Sequence, residues 1–279
     1  MPDVKKPYAS NVLRRYVSLA FLLLAGYLTV LPAQAGVVIG GTRQIYPAQN
    51  REITVKVTND DKTTPRLVQV WLDDGNEKLT AEQADVPFTV TPPVFRMEGG
   101  KSQTLRIAYT KEPLPTDKES AFWLNVLEVP PKIDNSAAGV VDNQLRFAFR
   151  IRTKVFFRPQ GLDGKVGDAP AQLRWSLHQT EKGSELEVRN PTPYHVSFQE
   201  VALALGAGKG ARLNKSAQYQ MVAPGGSQRY LLKERIGAAG ALPAGAHVQF
   251  NVINDYGSFL PTQAPLLPAP APAPAPASN

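Results

Sequence analysis

Apolar and polar residues alternate along most of the chain between Gly36 and Leu260. Ile53-Thr-Val-Lys-Val-Thr58 puts an apolar side chain on every second residue, the period of a half-buried β-strand. Leu67-Val-Gln-Val-Trp-Leu72 repeats the pattern after the turn cluster Asn59-Asp60-Asp61, and Gln103-Thr-Leu-Arg-Ile-Ala-Tyr109 does so after Gly99-Gly100. Ala121 to Val129 forms another apolar strand before Pro130-Pro131, and the longest alternation runs from Leu145 to Phe157. No stretch carries a sustained helical period. The pattern lapses at Arg158-Pro159-Gln-Gly161, with Gly164, Gly167 and Pro170 following. A second series then opens at Leu173-Arg-Trp-Ser-Leu177 and continues through Glu185-Leu-Glu-Val188, His195-Val-Ser-Phe198 and Val248-Gln-Phe-Asn-Val-Ile253. Short strands punctuated by Pro and Gly predict an all-β chain of two immunoglobulin-like sandwiches, each of about 100 residues, joined near 158–170. The expected limits are 36–158 for the first sandwich and 159–262 for the second.

The two ends depart from this pattern. Lys5, Lys6, Arg14 and Arg15 precede an apolar run from Tyr16 to Leu31, and Ala33-Gln34-Ala35 follows. Charge, apolar stretch and a small-x-small site in that order predict a secretory signal peptide over 1–35. The run is shorter than the roughly 20 residues of a spanning helix, so no membrane insertion is expected after cleavage. Losing its four cations and one anion lowers the formal charge from +7 to +4. At the other end, residues 263–279 are rich in Pro and Ala, a composition that predicts an extended, unpacked tail.

Composition narrows the chemistry. The 279 residues include no cysteine, which excludes a thiolate zinc site, a thiol nucleophile, a redox motif and any disulfide. His178, His195 and His247 lack metal-ligand spacing and read as surface or strand residues. There is no Gly-x-Ser-x-Gly. Gly206-Ala-Gly208-Lys-Gly210 lacks the Ser/Thr and glycine spacing of a phosphate loop and reads as a turn. Asp73-Asp74-Gly75-Asn76 has calcium-loop residue types without the spacing and reads as a hairpin. No catalytic residue, metal site or cofactor is expected, and the mild positive charge without interleaved aromatics gives no nucleic-acid face.

The informative segment is Gln144 to Phe157. Read as one strand, it carries Leu145, Phe147, Phe149, Ile151, Val155 and Phe157 on one face, and Arg146, Arg150, Arg152 and Lys154 on the other. Its length of about 45 Å exceeds what one small sandwich covers. An overhanging apolar strand either finds a partner chain or becomes an aggregation hazard. An ordinary long core strand with a charged outer face is the other reading open at this point.

Leu114-Pro-Thr-Asp-Lys-Glu-Ser-Ala-Phe-Trp-Leu-Asn-Val-Leu-Glu-Val-Pro-Pro131 resembles the signature of the periplasmic pilus chaperones, position by position. Thr91-Pro-Pro93, Val155-Phe-Phe-Arg-Pro159, Arg189-Asn-Pro-Thr-Pro-Tyr194 and Asn254-Asp-Tyr-Gly257 are similar to further motifs of that family, so the resemblance spans nearly the whole mature chain. It implies two immunoglobulin-like domains in an L or boomerang shape, in the periplasm. It implies a chaperone that lends a strand to pilus subunits, which lack one, and passes them to an outer-membrane usher. By the same resemblance Leu145, Phe147, Phe149 and Ile151 are donor-strand positions, and Arg43 and Lys154 anchor the subunit's C-terminal carboxylate. Glu119, Arg158 and Asp255 match the charged network between the domains. The absence of cysteine resembles the short-loop class. Residues 132–143 are longer than in the shortest members, which leaves the start of the donor strand open, as is self-association of the free form. The Pro-Ala tail has no counterpart. A secreted immunoglobulin-like adhesin or fibre subunit is the alternative, and it needs no basic pair.

Overall fold

The computed structural model describes residues 36–131, 145–208, 211–218, 220–236 and 242–267. The expected signal peptide, the segment 132–144 and the Pro-Ala repeats from 268 lie outside the described residues, as does part of the Gly206–Gly210 turn.

The first sandwich is built from β1 (Val37–Ile39), β2 (Arg43–Pro47), β3 (Glu52–Asn59), β4 (Arg66–Asp73), β5 (Phe88–Thr91), β6 (Val94–Met97), β7 (Ser102–Tyr109), β8 (Ser120–Val129) and β9 (Phe149–Arg158). One sheet has the order β1-β3-β7-β5 and the other β2-β9-β8-β4-β6. The opening segment changes sheets between β1 and β2. Gly41, at φ +84, makes that step in backbone that side chains disfavour. The alternation read from the sequence becomes the core: Val55, Val57, Leu105 and Ile107 meet Val68, Val70, Leu72, Leu124, Val126 and Val155. Asp73 to Asn76 is not the expected hairpin. The strand after it, β5, lies in the opposite sheet, so the segment begins a crossover.

β9 differs from the sequence expectation in a way that bears on function. Its regular part begins at Phe149 rather than Leu145, because β8 pairing stops at Glu128↔Phe149 and residues 145–148 have no strand partner among the described residues. On its other side, β2 runs parallel and pairs only from Arg43↔Lys154 to Pro47↔Arg158. From Phe149 to Thr153, β9 therefore has β8 on one side and, among the described residues, an open edge on the other.

A 3-10 turn, Val166–Gln172, leads into the second sandwich and buries Ala169 against its core. The strands are β10 (Arg174–Thr180), β11 (Gly183–Arg189), β12 (Val196–Leu205), β13 (Arg212–Lys215), β14 (Met221–Val222), β15 (Ser227–Leu231), β16 (His247–Ile253) and β17 (Phe259–Leu267). Trp175 packs with Phe198, Tyr230 and Phe250 at the centre. β17 runs through residues 263–267, which composition had assigned to the tail. It pairs with β16 as far as His247↔Pro265 and reaches β10 at Trp175↔Leu266, while Ala264 and Leu266 pack on the core.

Candidate functional site

The open edge of β9 ends where two cations stand side by side. Parallel pairing makes Arg43 and Lys154 direct neighbours. Arg43 donates from Nη1 to the Ile253 carbonyl at 2.9 Å, and its guanidinium carbon lies 5.8 Å from the Phe156 ring centroid. Its Nε is buried without a hydrogen-bond partner among the described residues. Burial lowers the pKa of Lys154, and the charge of Arg43 lowers it further. Arg43 is itself lowered by burial, with Asp255 partly opposing. Among the described residues, neither cation has a carboxylate within ion-pair distance. A planar fork beside a compact ammonium is suited to receiving a carboxylate.

Arg158, the last residue of β9, ties this edge to the second sandwich. Its Nε donates to Glu119 Oε1 at 2.6 Å, and Nη1 and Nη2 donate to the two Asp255 oxygens at 2.7 and 3.0 Å. Burial works against this guanidinium's charge, but Asp255 and Glu119 outweigh it and hold the pKa above its ordinary value. The Glu119 side chain is 1 % exposed, and its Oε2 accepts from the His195 backbone N–H at 2.8 Å. The second-half motifs make the receiving surface. The Glu119 N–H donates to the Pro193 carbonyl at 2.9 Å. Asn190 pins its own turn, donating to Tyr194 O at 2.7 Å and accepting from Thr192 N–H at 3.0 Å. Asn254 Oδ1 accepts from the N–H groups of Tyr256 and Ser258, which presents Asp255 to Arg158. Gly257, at φ +83, lies so close to Thr42 that an added Cβ would stand 2.5 Å from its Oγ1. A cavity of about 280 Å³ opens at this joint, with Arg43, Arg158, Phe156, Val252 and Leu260 in its wall.

The four positions expected in a donor strand divide. Leu145, Phe147 and Phe149 are 85, 61 and 57 % exposed, and the two phenylalanine rings lie 6.2 Å apart on one side of the chain. Ile151 is half-buried and paired with Val126. An unpaired backbone edge thus carries a row of uncovered apolar side chains, and the basic pair closes its far end.

The opposite face of β9 departs from the sequence reading. Arg150 and Arg152 are not a solvent-facing charge row but turn onto Asp73, at 3.2 and 2.6 Å, and that aspartate is fully buried. The sequence pattern alone places Asp73 in a turn. An aspartate closing the Leu67–Leu72 run and two arginines spaced two apart are the traces this contact leaves in the sequence, and neither shows that they meet. His195, read as a bland strand residue, has a side chain 7 % exposed at the joint, with its ring 5.5 Å from Phe156. In the second sandwich, His178 Nε2 faces both Ser176 Oγ at 2.9 Å and Glu187 at 3.2 Å. One nitrogen serving both groups cannot relay a proton between them.

Comparison with known proteins accords with this architecture. Residues 36–163 match the family of pili and flagellar-assembly chaperones, PapD N-terminal domain, and residues 168–264 match the pili assembly chaperone PapD, C-terminal domain. The chain is 40 % identical over 235 residues to the probable fimbrial chaperone YadV of Escherichia coli K12, covering 83 % of this chain and 90 % of the relative. Among solved structures, the CupB2 chaperone of Pseudomonas aeruginosa is 40 % identical with a TM-score of 0.64, covering 82 % of this chain and all of its own. The Salmonella enterica SafB chaperone, solved in complex with SafA pilin, is 27 % identical with a TM-score of 0.64, covering 85 % of this chain and 99 % of the matched chain. With both domains matched in order and an exposed, unpaired strand edge beside a basic pair, the chain belongs to the PapD-like family of pilus-assembly chaperones.

Proposed function

We propose that this chain is a periplasmic chaperone that captures pilus subunits by lending them the open edge of β9, and that it delivers them to an outer-membrane usher. The observation that carries this reading is the stretch from Leu145 to Thr153, where an unpaired edge coincides with exposed Leu145, Phe147 and Phe149. A subunit with an incomplete sandwich gains backbone hydrogen bonds by adding to that edge, and its groove takes up the alternate side chains. Burying each is worth about 1.5–3 kcal/mol before ordering costs. Ile151, half-buried in the free protein, adds less.

The geometry also suggests a stop. β2 occupies the edge from Lys154 onward, so an added strand ends there. For its terminal carboxylate to meet Arg43 and Lys154, that strand must run parallel to β9. Charge pairing then sets the register, and a slip by one residue would turn every donor side chain to the wrong face. The Arg158 network with Glu119 and Asp255 holds the second sandwich against the floor of this anchor. The complex of SafB with SafA pilin supports subunit binding by a chaperone of this fold. The reading assigns the chain no catalysis, metal or cofactor. A fibre subunit or adhesin would have no use for two desolvated cations beside an open edge, and the basic pair therefore favours the chaperone.

The test is recovery of complexes from periplasm with wild type, Lys154→Ala and Arg43→Ala, followed by identification of the recovered proteins. The reading expects fibre subunits with wild type and a marked loss with either variant. Equal recovery with all three would remove the anchor assignment.

A further inference from the structure

We infer that Asp73 and Asn125 are positioning residues for the donor edge, holding the unpaired part of β9 straight from its reverse face. This rests on the reading of β9 as the donor strand. The need arises from topology. Among the described residues, 149–153 have one neighbouring strand, whereas Lys154 to Arg158 have two. A strand end paired on one side frays more readily than one paired on both.

The reverse face supplies what the second neighbour does not. Asp73, at the end of β4, accepts from Arg152 Nη2 at 2.6 Å, Arg150 Nη2 at 3.2 Å and Asn125 Nδ2 at 2.7 Å. The Gly75 N–H adds a fourth donor at 2.8 Å. Asn125, buried on β8, accepts at Oδ1 from Arg150 Nε at 2.8 Å and Arg152 Nε at 3.0 Å. Arg150 also donates to the Glu77 carbonyl at 2.7 Å. Each guanidinium is backed by an indole, Arg150 at 4.7 Å from the Trp71 ring centroid and Arg152 at 5.8 Å from that of Trp123. Both arginines belong to the segment with the open edge, and both are held at more than one nitrogen. Such forked contacts fix orientation as well as distance. With 150 and 152 clamped to one face, Phe149 and Ile151 are directed to the other by the two-residue period. The clamp therefore sets which face a client meets, although no clamp residue lies on that face.

The experiment is amide hydrogen exchange on the free mature protein, with subunit recovery as a second arm. Asp73→Asn keeps the size of the side chain and removes its charge. It should speed exchange at 149–153 at least tenfold while 154–158, held by β2, change less than twofold. Arg152→Lys retains the cation but loses the fork, so it should give a smaller, equally localised change. It also decides the matter if Asp73→Asn does not fold. Val188→Ala, a core truncation in the second sandwich, should leave the contrast between 149–153 and 154–158 unchanged. Uniform loss of protection along β9, or none, overturns the inference. Recovery of subunit should fall with Asp73→Asn; undiminished recovery also overturns it. If Phe147→Asp still captures subunit, the donor-strand reading fails, while the exchange result continues to decide whether the clamp positions the edge.

Discussion

Replacing Lys154 with methionine is expected to stabilise the free protein and to weaken its hold on a subunit. Lys154 and Arg43 are partners on paired strands, which run about 4.8 Å apart. Two like charges about 6 Å apart at an effective dielectric of about 20 repel by about 3 kcal/mol. Solvent at the half-buried ammonium reduces this to about 1 kcal/mol. Methionine keeps most of the apolar stem and removes the charge. A gain of about 1 kcal/mol corresponds to a rise of about 2–4 °C in melting temperature for a protein of this size. Calorimetry of the free variant, beside recovery of its complex with subunit, reads both effects. The pH dependence has the same origin. The pKa of Lys154 lies below its ordinary 10.5, through burial first and then the charge of Arg43. The cost of charging it in the fold is thus fully present at neutral pH, and is relieved as pH rises from the lowered folded value towards 10.5. The stability gap between variant and wild type should close over that alkaline window. A bound carboxylate favours the ammonium, so subunit binding by wild type should weaken in the same window. A variant that melts below wild type, or captures subunit equally well, refutes this account of the pair.

Arg158→Ala leaves buried Glu119 and the Asp255 carboxylate without their shared cation, and should cost about 3–5 kcal/mol; a fall in melting temperature of about 10 °C is expected, and one under about 2 °C would contradict it. Gly257→Ala places a methyl against Thr42 in left-handed backbone, at a cost of about 1–2 kcal/mol. Chemical denaturation should show it, and Thr42→Ser, which keeps the hydroxyl, should not relieve it. Deleting residues 268–279 should leave subunit recovery unchanged, since a Pro-Ala composition builds no packed element; a marked loss would give the tail a partner.

Much of the fold is legible in the period of two, because side chains at Val55, Val57, Leu124 and Val126 must face inward wherever the strand lies. What periodicity does not convey is which edges stay unpaired. The apolar face of the alternation from Leu145 to Phe157 is broken only at Thr153, yet only the part from Phe149 lies in a sheet, because β8 ends one residue beyond its partner. The same limit hid the role of Arg150 and Arg152. Alternate charged residues look alike whether they face water or a buried aspartate, and Asp73 is 77 residues from Arg150 along the chain. The joint was legible only through motif resemblance. Nothing in local pattern brings Glu119, Arg158 and Asp255 together, since their contacts span 39 and 97 residues. The end of β17 was not legible because residues 263–267 share the Pro and Ala composition of the tail, although the alternate residues Ala264 and Leu266 face a core.

The exposed apolar side chains preceding and opening β9 are proposed to serve a client rather than this protein's own core. The most direct measurement is a charge scan, with aspartate introduced singly at Leu145, Arg146, Phe147, Ala148 and Phe149. Each variant is read for thermal stability when free and for recovery of its complex with subunit. All five positions are exposed, so every free variant should melt within about 2 °C of wild type, as surface changes do. Recovery should alternate, abolished at 145, 147 and 149, where a charge would enter an apolar groove, and largely kept at 146 and 148. Free variants at 145 and 147 that unfold, or recovery that does not follow the period of two, would show an ordinary strand in place of a donated one.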